Sequence, residues 1–311
     1  MDTIALWEEE IAESNRSHFF ENTARAIDYL MESIELDYKL IEAGIITEAG
    51  EEDTSSNDND IPVDLKIGEK IKLFLKRLAA GLVAIIDKIR SYIKNKVKDF
   101  QQKRIVDKFM NSKIDEEKMI AKLNKTKLFD PEMTYQAYGQ NGVFGEEVGK
   151  VFNEPIYGGP NVSYSIDVNK YNAKVHELEA LSRPEDFRYT HDKNTKEPLI
   201  IKINPNNAKA QIKDLYDNTV KVMETIDTRV KDFADIIKKK ETEIGNIKNK
   251  DQLKFAKSVL QLYKVTYKGC TRISTMYLKQ SVFLANIMLG YIHNGNAEED
   301  NTEENTEKEE A

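Results

Sequence analysis

Apolar residues recur every three or four positions through three long stretches of this chain, and this spacing constrains its fold more than any other feature. The stretches are residues 4–43, 64–104 and 207–293, and none of them contains a proline. A repeat of three or four residues places side chains on one face of an α-helix. We therefore expect a mainly α fold, with long amphipathic helices in a bundle and a loop-rich α+β insertion.

In the first stretch, the spacing of the apolar residues alternates between four and three. This alternation predicts a stripe of three heptads, as in a helix that packs on another helix in a coiled coil. The partner helix belongs either to the same chain or to a second copy, and a plain amphipathic helix has nearly the same spacing. The stripe consists of Phe20, Ala24, Ile27, Met31, Ile34, Tyr38 and Ile41.

The second stretch combines an apolar stripe with many lysines. Residues 64–104 hold 12 basic and 4 acidic side chains, a net charge of +8. If Gly68 and Gly81 do not interrupt it, this stretch predicts a helix about 60 Å long, followed by a shorter helix near 116–125. The apolar positions are Ile67, Ile71, Phe74, Leu78, Leu82, Ile85, Ile89, Ile93, Val97 and Phe100.

Between the second and third stretches the composition changes. Six of the seven prolines and six of the 14 glycines lie in residues 131–205, which indicates loops. Residues 162–168 alternate like a strand, and we expect residues 199–203 to pair with them. The Gly-rich run 139–149 lacks the Lys-Ser/Thr ending of a phosphate-binding loop, so we interpret it as an ordinary loop.

The third stretch predicts two helices that form an antiparallel hairpin, with the basic helix alongside. The second of them carries apolar residues on two faces, which favours a central place in the bundle. With the polar segments that flank the helices, the sequence divides into an acidic helical leader (1–48), a disordered linker (49–62), a basic amphipathic region (63–130), an insertion (131–206), the hairpin (207–293) and an acidic disordered tail (294–311).

Charge is segregated along the chain. The net charge is −14 over residues 1–62 and −7 over residues 297–311, against −8 for the whole chain, which leaves +13 for residues 63–296. This asymmetry suggests either a polyanionic partner for the basic body or masking of the body by its acidic ends. Solvated helix faces explain each charged run taken alone, but explain the segregation less well.

The residues that usually carry chemistry are few and scattered. A single cysteine, Cys270, excludes an internal disulfide, and its place on an apolar stripe predicts a core residue. The four histidines have no partners at the spacing of a metal site or a catalytic triad. No apolar run is long enough to span a bilayer. We therefore expect no catalytic residues, no metal and no cofactor, and a protein that is not an enzyme.

One short pattern recurs in the leader: Leu or Ile, any residue, Glu, then a small residue. The chain has six bonds from Glu to Ala, Gly or Ser, and four of them match the whole pattern. All four lie in the first 48 residues, whereas the bonds after Glu179 and Glu310 lack the Leu or Ile. The matching bonds follow Glu13, Glu32, Glu42 and Glu48. Only the bond Glu48–Ala49 adjoins the predicted linker.

This pattern resembles the cleavage signal of prohead maturation proteases in large tailed bacteriophages, particularly those of the T-even type. The layout also resembles a group of large-phage virion proteins, in which an acidic helical leader and such a site precede a Lys-rich helix like residues 71–78 here. The resemblance covers about the first third of the chain. It implies a structural virion protein, an internal head or prohead-core component that loses its leader at Glu48–Ala49, with weaker sites at Glu13, Glu32 and Glu42.

The same resemblance implies the location and the partners. The protein would be made in the cytoplasm of a bacterial host and then reside in the head interior of the virion. Its partners would be the prohead protease and other virion proteins, whether copies of itself, capsid or core. Packaged DNA is a further candidate partner, and the residues predicted to contact DNA or another polyanion are Lys70, Lys72, Lys76, Arg77, Lys88, Arg90, Lys94, Lys96 and Lys98.

The Lys-rich helix also permits a different function. A basic face opposite Ile, Leu and Phe is what a helix needs to lie at a membrane surface. The alternative is therefore a membrane-associated or membrane-active protein that acts through residues 64–104, with the acidic leader as its inhibitor. A membrane is the second choice of partner.

Overall fold

The structure is a computed structural model of the 311-residue chain. It describes residues 65–94, 104–112, 116–124, 128–157 and 200–306, and the six single residues Ile34, Leu36, Tyr38, Lys39, Ile41 and Ala173. Most of these residues are helical, and the strands among them are two residues long. The predicted mainly α fold is confirmed.

In chain order, the secondary-structure elements of the described residues are mostly helices. They are α1 (Leu65–Tyr92), α2 (Ile105–Asn111), α3 (Glu116–Asn124), β1 (Leu128–Phe129), α4 (Pro131–Thr134), a π-helix (Tyr135–Val143), α5 (Glu146–Asn153), β2 (Ile200–Ile201), a 3₁₀ helix (Pro205–Asn207), α6 (Ala208–Lys240), a second 3₁₀ helix (Glu241–Asn246) and α7 (Lys250–Thr306).

The described residues form two compact units, each assembled from separated parts of the chain. Unit 1 takes them from Met1–Lys88, Gly149–Glu179 and Val230–Thr271. Unit 2 takes them from Ile89–Val148, Ala180–Arg229 and Arg272–Ala311. Helices α1, α5, α6 and α7 contribute residues to both units. The units therefore do not coincide with the consecutive segments that the composition suggests.

Helix α1 forms where the sequence predicts the basic helix, and neither glycine interrupts it. The stripe from Ile67 to Ile89 is buried, with its members at most 2% exposed. Gly81 lies where an added Cβ would be 2.6 Å from the ring of Tyr267, so the glycine permits a close approach of α1 and α7 within unit 1. At Gly68 an added Cβ would make an ordinary 3.7 Å contact with Ile244.

The predicted basic helix is longer than the helix that the structure describes. Helix α1 ends at Tyr92 after 28 residues, about 42 Å at 1.5 Å per residue. Two π-helical residues follow it, and residues 95–103 lie outside the described part. Arg104 has a φ of 50°, in the left-handed region, and α2 begins at the next residue. A left-handed residue does not continue a right-handed helix, so the predicted basic helix does not extend through Arg104.

The C-terminal hairpin contains the two predicted long helices, α6 and α7. Within unit 2 they share a core with α2, α3 and β1, because their apolar residues recur on facing sides. The most buried members of this core are Phe109, Met119, Ala208, Ile212, Leu284 and Met288, each 0% exposed. Within unit 1, Phe152 of α5 lies between Phe233 and Tyr263, with ring centroids 4.2 and 4.4 Å away.

The two strands form a small antiparallel sheet, in which Leu128 pairs with Ile201 and Phe129 with Ile200. The sequence marks residues 199–203 as a strand, but the described partner is β1 rather than the predicted 162–168, which lie outside the described residues. The side chain of Gln280 completes the other edge of β1. Its amide accepts from Phe129 N at 3.0 Å and donates to Phe129 O at 3.0 Å and to Thr219 Oγ1 at 3.1 Å.

The first part of the insertion is helical, so the predicted loop at residues 139–149 is wrong. Asp130 caps α4 by accepting a hydrogen bond from Met133 N at 2.9 Å, and Pro131 occupies the first turn. Gly139 lies in the π-helix, where an added Cβ would be 2.5 Å from the ring of Tyr135. Gly139 therefore makes room for a side chain instead of marking a turn, and the Asp130–Pro131 pair is the sequence signal of a helix start.

Helix α7 continues to Thr306, beyond residue 293 where the predicted hairpin ends. Extending an existing helix costs far less than starting one, and no proline follows Pro205 to stop it. The acidic composition that suggested disorder is compatible with helical backbone geometry.

Candidate functional site

The residues predicted to contact a polyanion do not all lie on one exposed surface. Lys70 and Lys76 are exposed in unit 1, and Lys94 is exposed in unit 2. Lys72 and Arg77 are partly buried, and Lys72 forms an ion pair with Glu69 at 3.1 Å. Lys96 and Lys98 lie outside the described residues.

Of the predicted basic contacts, Lys88 is buried and Arg90 is paired with a carboxylate of the same chain. Lys88 is only 7% exposed, so it is not part of an exposed basic face. Arg90 forms a bidentate pair with Asp227 in unit 2, with nitrogen–oxygen distances of 2.9 to 3.1 Å. Two parallel hydrogen bonds to one carboxylate hold a guanidinium in one position and orientation and place a negative charge beside it. Lys70 and Lys76 are therefore the better candidates for an external anion in unit 1.

The predicted cleavage sites lie outside the described residues. This applies to Glu48 and Ala49 and to the weaker sites at Glu13, Glu32 and Glu42. The first four positions of the leader stripe, Phe20, Ala24, Ile27 and Met31, lie outside as well. Its last three positions are described, and they form the second candidate site.

The described end of the leader is helical and buries one face in unit 1. Ile34, Tyr38 and Ile41 are 1%, 4% and 0% exposed. Leu36 and Lys39, on the other face, are exposed, Leu36 by 59%. A helix places positions 34, 38 and 41 on one side and 36 and 39 away from it. The predicted stripe is confirmed at these three positions, and its partner lies in the same chain.

Tyr38 makes the described contacts between the leader and the rest of unit 1. Its ring centroid lies 6.2 Å from that of Phe74 in α1, at an interplanar angle of 54°. Lys264 of α7 places its Nζ 4.2 Å from the centre of the same ring. An ammonium group above an aromatic face is attracted by the electrons of the ring. Tyr38 therefore binds α1 by apolar packing and α7 by a cation–π contact.

Phe74 belongs to a stripe that the sequence reveals, whereas Lys264 is a site residue that sequence reasoning missed. Lys264 lies on a predicted helix among other lysines and has no distinctive spacing. Its role depends on a tyrosine far away in the chain. No local pattern links the two positions, so only the three-dimensional arrangement identifies the pair.

A second group of polar residues in unit 1 stabilises a chain segment after α5. Lys240 has a side chain 6% exposed, and its Nζ donates to Glu154 O at 2.8 Å and to Glu243 Oε1 at 3.0 Å. Glu243 Oε2 accepts from Ile156 N at 2.8 Å. Because a buried charge needs a partner and hydrogen bonds, these contacts account for the lysine and the carboxylate as structural groups.

Two side chains with nucleophilic atoms, Cys270 and Tyr277, are buried in the core. Cys270 is fully buried, and burial raises the pKa of its thiol far above the ordinary value, so the unreactive thiol form predominates. Burial also raises the pKa of Tyr277, whose hydroxyl donates to Pro131 O at 2.6 Å. Among the described residues, no group of three or more His, Cys, Asp or Glu side chains is placed to hold a metal ion.

Within the described part of the chain, no helix is both long enough and apolar enough to cross a membrane. Comparison with protein-family models, with curated proteins and with solved structures gave no match.

Proposed function

We propose that this chain is a non-enzymatic structural protein of a large tailed bacteriophage, an internal head or prohead-core component matured by a prohead protease. The observation that carries the proposal is the clustering of cleavage patterns. All four matches to Leu/Ile-x-Glu-small lie in the first 48 of 311 residues, and the last of them adjoins a polar linker.

Cleavage at Glu48–Ala49 would change the electrostatics of the chain. Residues 1–48 carry 12 acidic and three basic side chains, so their removal changes the net charge from −8 to +1. Binding to nucleic acid gains from each phosphate that a lysine or arginine neutralises and loses from nearby carboxylates. The mature chain would therefore suit a DNA-filled interior better than its precursor.

The roles of the polar residues favour a structural function over a catalytic one. Lys240 and Glu243 hold residues 154–156, and Gln280 pairs with β1. Tyr277 binds the carbonyl of Pro131. Each of these groups is already engaged in maintaining the fold, which is the pattern expected of a protein that acts through its surface.

The leader contact modifies the role that the heptad stripe suggests. An assembly function for the whole stripe requires all its positions to be available to other subunits. Ile34, Tyr38 and Ile41 are instead buried in unit 1 of the same chain. We therefore assign assembly contacts of the precursor to the earlier stripe positions, from Phe20 to Met31.

The membrane hypothesis is the weaker of the two. It requires the apolar stripe of α1 to face lipid. Ile71, Phe74 and Leu78 are at most 1% exposed in unit 1, so α1 would have to leave the protein core first. For this reason we keep membrane association as the second candidate.

The processing step is tested by mass spectrometry of mature particles that contain this protein. The expected result is an N-terminal peptide that begins at Ala49, with peptides of residues 1–48 depleted relative to immature particles. A Glu48→Gln variant should retain the leader or be cut at a weaker site, whereas Glu179→Gln, at a Glu–Ala bond without the pattern, should be processed normally. An intact Met1–Glu48 segment in mature particles would refute the proposal.

A further inference from the structure

Among the described residues of the leader, those on one helix face are buried and those on the other are exposed. We define the leader segment as residues 34–41, of which Ile34, Leu36, Tyr38, Lys39 and Ile41 are described. The three apolar residues of the stripe are buried, while Leu36 and Lys39 are exposed. The described residues of the segment therefore have one buried contact face and one exposed face.

We propose that the surface carrying Phe74 and Lys264 is a docking site for the leader segment, and that the docking depends on the covalent connection to α1. A cut between residues 41 and 65 would then release the leader and uncover Phe74. The biological use of this release rests on the proposed maturation at Glu48–Ala49, but the docking itself does not. The leader thereby serves as an internal cover of an apolar surface until the chain is cut.

The connection matters because it sets the effective concentration of the segment. Residues 42–64 join the leader segment to α1 directly. A connection of this length holds a segment near its site at an effective concentration on the order of millimolar. After a cut, a protein at about 1 µM offers its leader at a concentration roughly a thousandfold lower. The described part of this contact, which consists of one tyrosine and two isoleucines, is therefore expected to open.

Charge adds a second contribution that depends on salt. The leader as a whole carries a net −9, and residues 63–296 carry +13. Lys264 brings one of these positive charges directly to the ring of Tyr38. Since salt screens exposed charges, a higher ionic strength should favour release of a cut leader.

The central experiment cuts the full-length chain at an engineered site. Residues 53–59 are replaced by the recognition sequence of a site-specific protease, and the purified protein is cut in vitro. At about 1 µM, native mass spectrometry and size-exclusion chromatography are expected to show the leader fragment separated from the rest of the chain. Binding of an apolar dye should rise on cutting, because Phe74 becomes accessible. A leader fragment that stays bound would overturn the dependence on the connection.

Variants of the uncut chain test the docking face. Hydrogen exchange at the amides of residues 34–41 should be at least about tenfold faster in Tyr38→Ala, because a buried aromatic side chain is lost. The matched control is Leu36→Ala, on the exposed face of the same segment, which should exchange like the unmodified protein. Equal exchange in the two variants would show that Tyr38 does not dock the leader.

Lys264 is tested in the same measurement. Lys264→Gln should speed exchange of the leader segment by about two- to fivefold, the loss expected for one partly exposed cation–π contact. In a Tyr38→Leu background the same substitution should have no further effect on exchange. If Lys264→Gln speeds exchange equally in the Tyr38→Leu background, the contact between Lys264 and the Tyr38 ring is not the cause of the faster exchange.

The outcomes separate this inference from the proposed function. Mature particles with an intact leader would refute maturation and leave the exchange and cutting results valid. A leader that remains bound after the engineered cut would refute connection-dependent docking, whether or not Ala49 is the mature N-terminus.

Discussion

At the scale of single residues, two tyrosines of α7 differ in the hydrogen bonding of their hydroxyls. Tyr277 donates to Pro131 O at 2.6 Å in unit 2. Tyr263 is 0% exposed in unit 1, and its hydroxyl makes no hydrogen bond within the described part of the chain. Burial raises the pKa of both groups, so both hydroxyls keep their protons. The two positions therefore differ in hydrogen bonding rather than in ionisation.

Replacing each tyrosine by phenylalanine should have opposite effects on stability. Tyr277→Phe removes one of the two hydrogen bonds to Pro131 O, which also accepts from Tyr135 N, and should lower the free energy of unfolding by about 0.5–1.5 kcal/mol. Tyr263→Phe removes a buried hydroxyl that has no partner and should be neutral or stabilising by up to about 1 kcal/mol. Chemical denaturation followed by circular dichroism measures both. Equal losses in the two variants would contradict the hydrogen-bond assignment.

Sequence reasoning identifies such residues only in part. Apolar residues on two faces of the last predicted helix favour a central place in the bundle, and the structure buries Tyr263 and Tyr277 of this helix. The partner of each hydroxyl depends on segments that are distant in sequence, such as Asp130–Pro131 beside Tyr277. The same limit applies to Lys264 and Tyr38. Periodicity assigns a residue to a face, but it does not say which side chain it meets there.

At the scale of elements, the sequence predicts the long helices well because their stripes are long and uninterrupted. Helices α1, α6 and α7 lie where the periodicity places them. The prediction from sequence fails for residues 131–153, because glycine has two uses that composition does not distinguish. Gly139 accommodates the ring of Tyr135 within a helical turn, whereas a loop glycine supplies backbone freedom.

Gly81 and Gly68 of α1 form a matched pair that tests the use of glycine to accommodate a neighbouring side chain. Gly81→Ala puts a Cβ 2.6 Å from Tyr267, and the overpacking should destabilise the protein by about 1–3 kcal/mol. Gly68→Ala has room beside Ile244 at 3.7 Å and should stabilise by roughly 0.5 kcal/mol through helix propensity. Thermal and denaturant unfolding of the two variants provide the comparison. A stabilised Gly81→Ala would show that α1 and Tyr267 adjust without strain.

At the scale of the whole molecule, the segregation of charge is the feature that follows most directly from the sequence. The chain is acidic overall, yet residues 63–296 carry a net +13. The structure makes two of the predicted polyanion contacts less suitable, because Lys88 is buried and Arg90 is paired with Asp227. Sequence alone does not make this distinction, since it counts charges without showing which are already used.

We expect binding to double-stranded DNA to weaken when Lys70 and Lys76 are both replaced by Gln. If each lysine neutralises one phosphate, the slope of log K against log salt concentration should fall by up to about 2. The control is Lys231→Gln with Lys239→Gln, two exposed lysines of α6 in the same unit, which changes the net charge equally. Fluorescence anisotropy over a salt series measures the slope. Identical slopes for the two double variants would mean that the change in salt dependence comes from net charge and not from Lys70 and Lys76.

The contact between Gln280 and β1 has a consequence for the pairing of this strand with other chains. The N–H and C=O of a strand residue at a sheet edge are free to pair with another chain, which is how many β-sheets aggregate. Here a glutamine from α7 bonds to both groups of Phe129, as a neighbouring strand would. The edge is thereby closed by a side chain, and the small sheet offers no template at Phe129 to which a second molecule can add a strand.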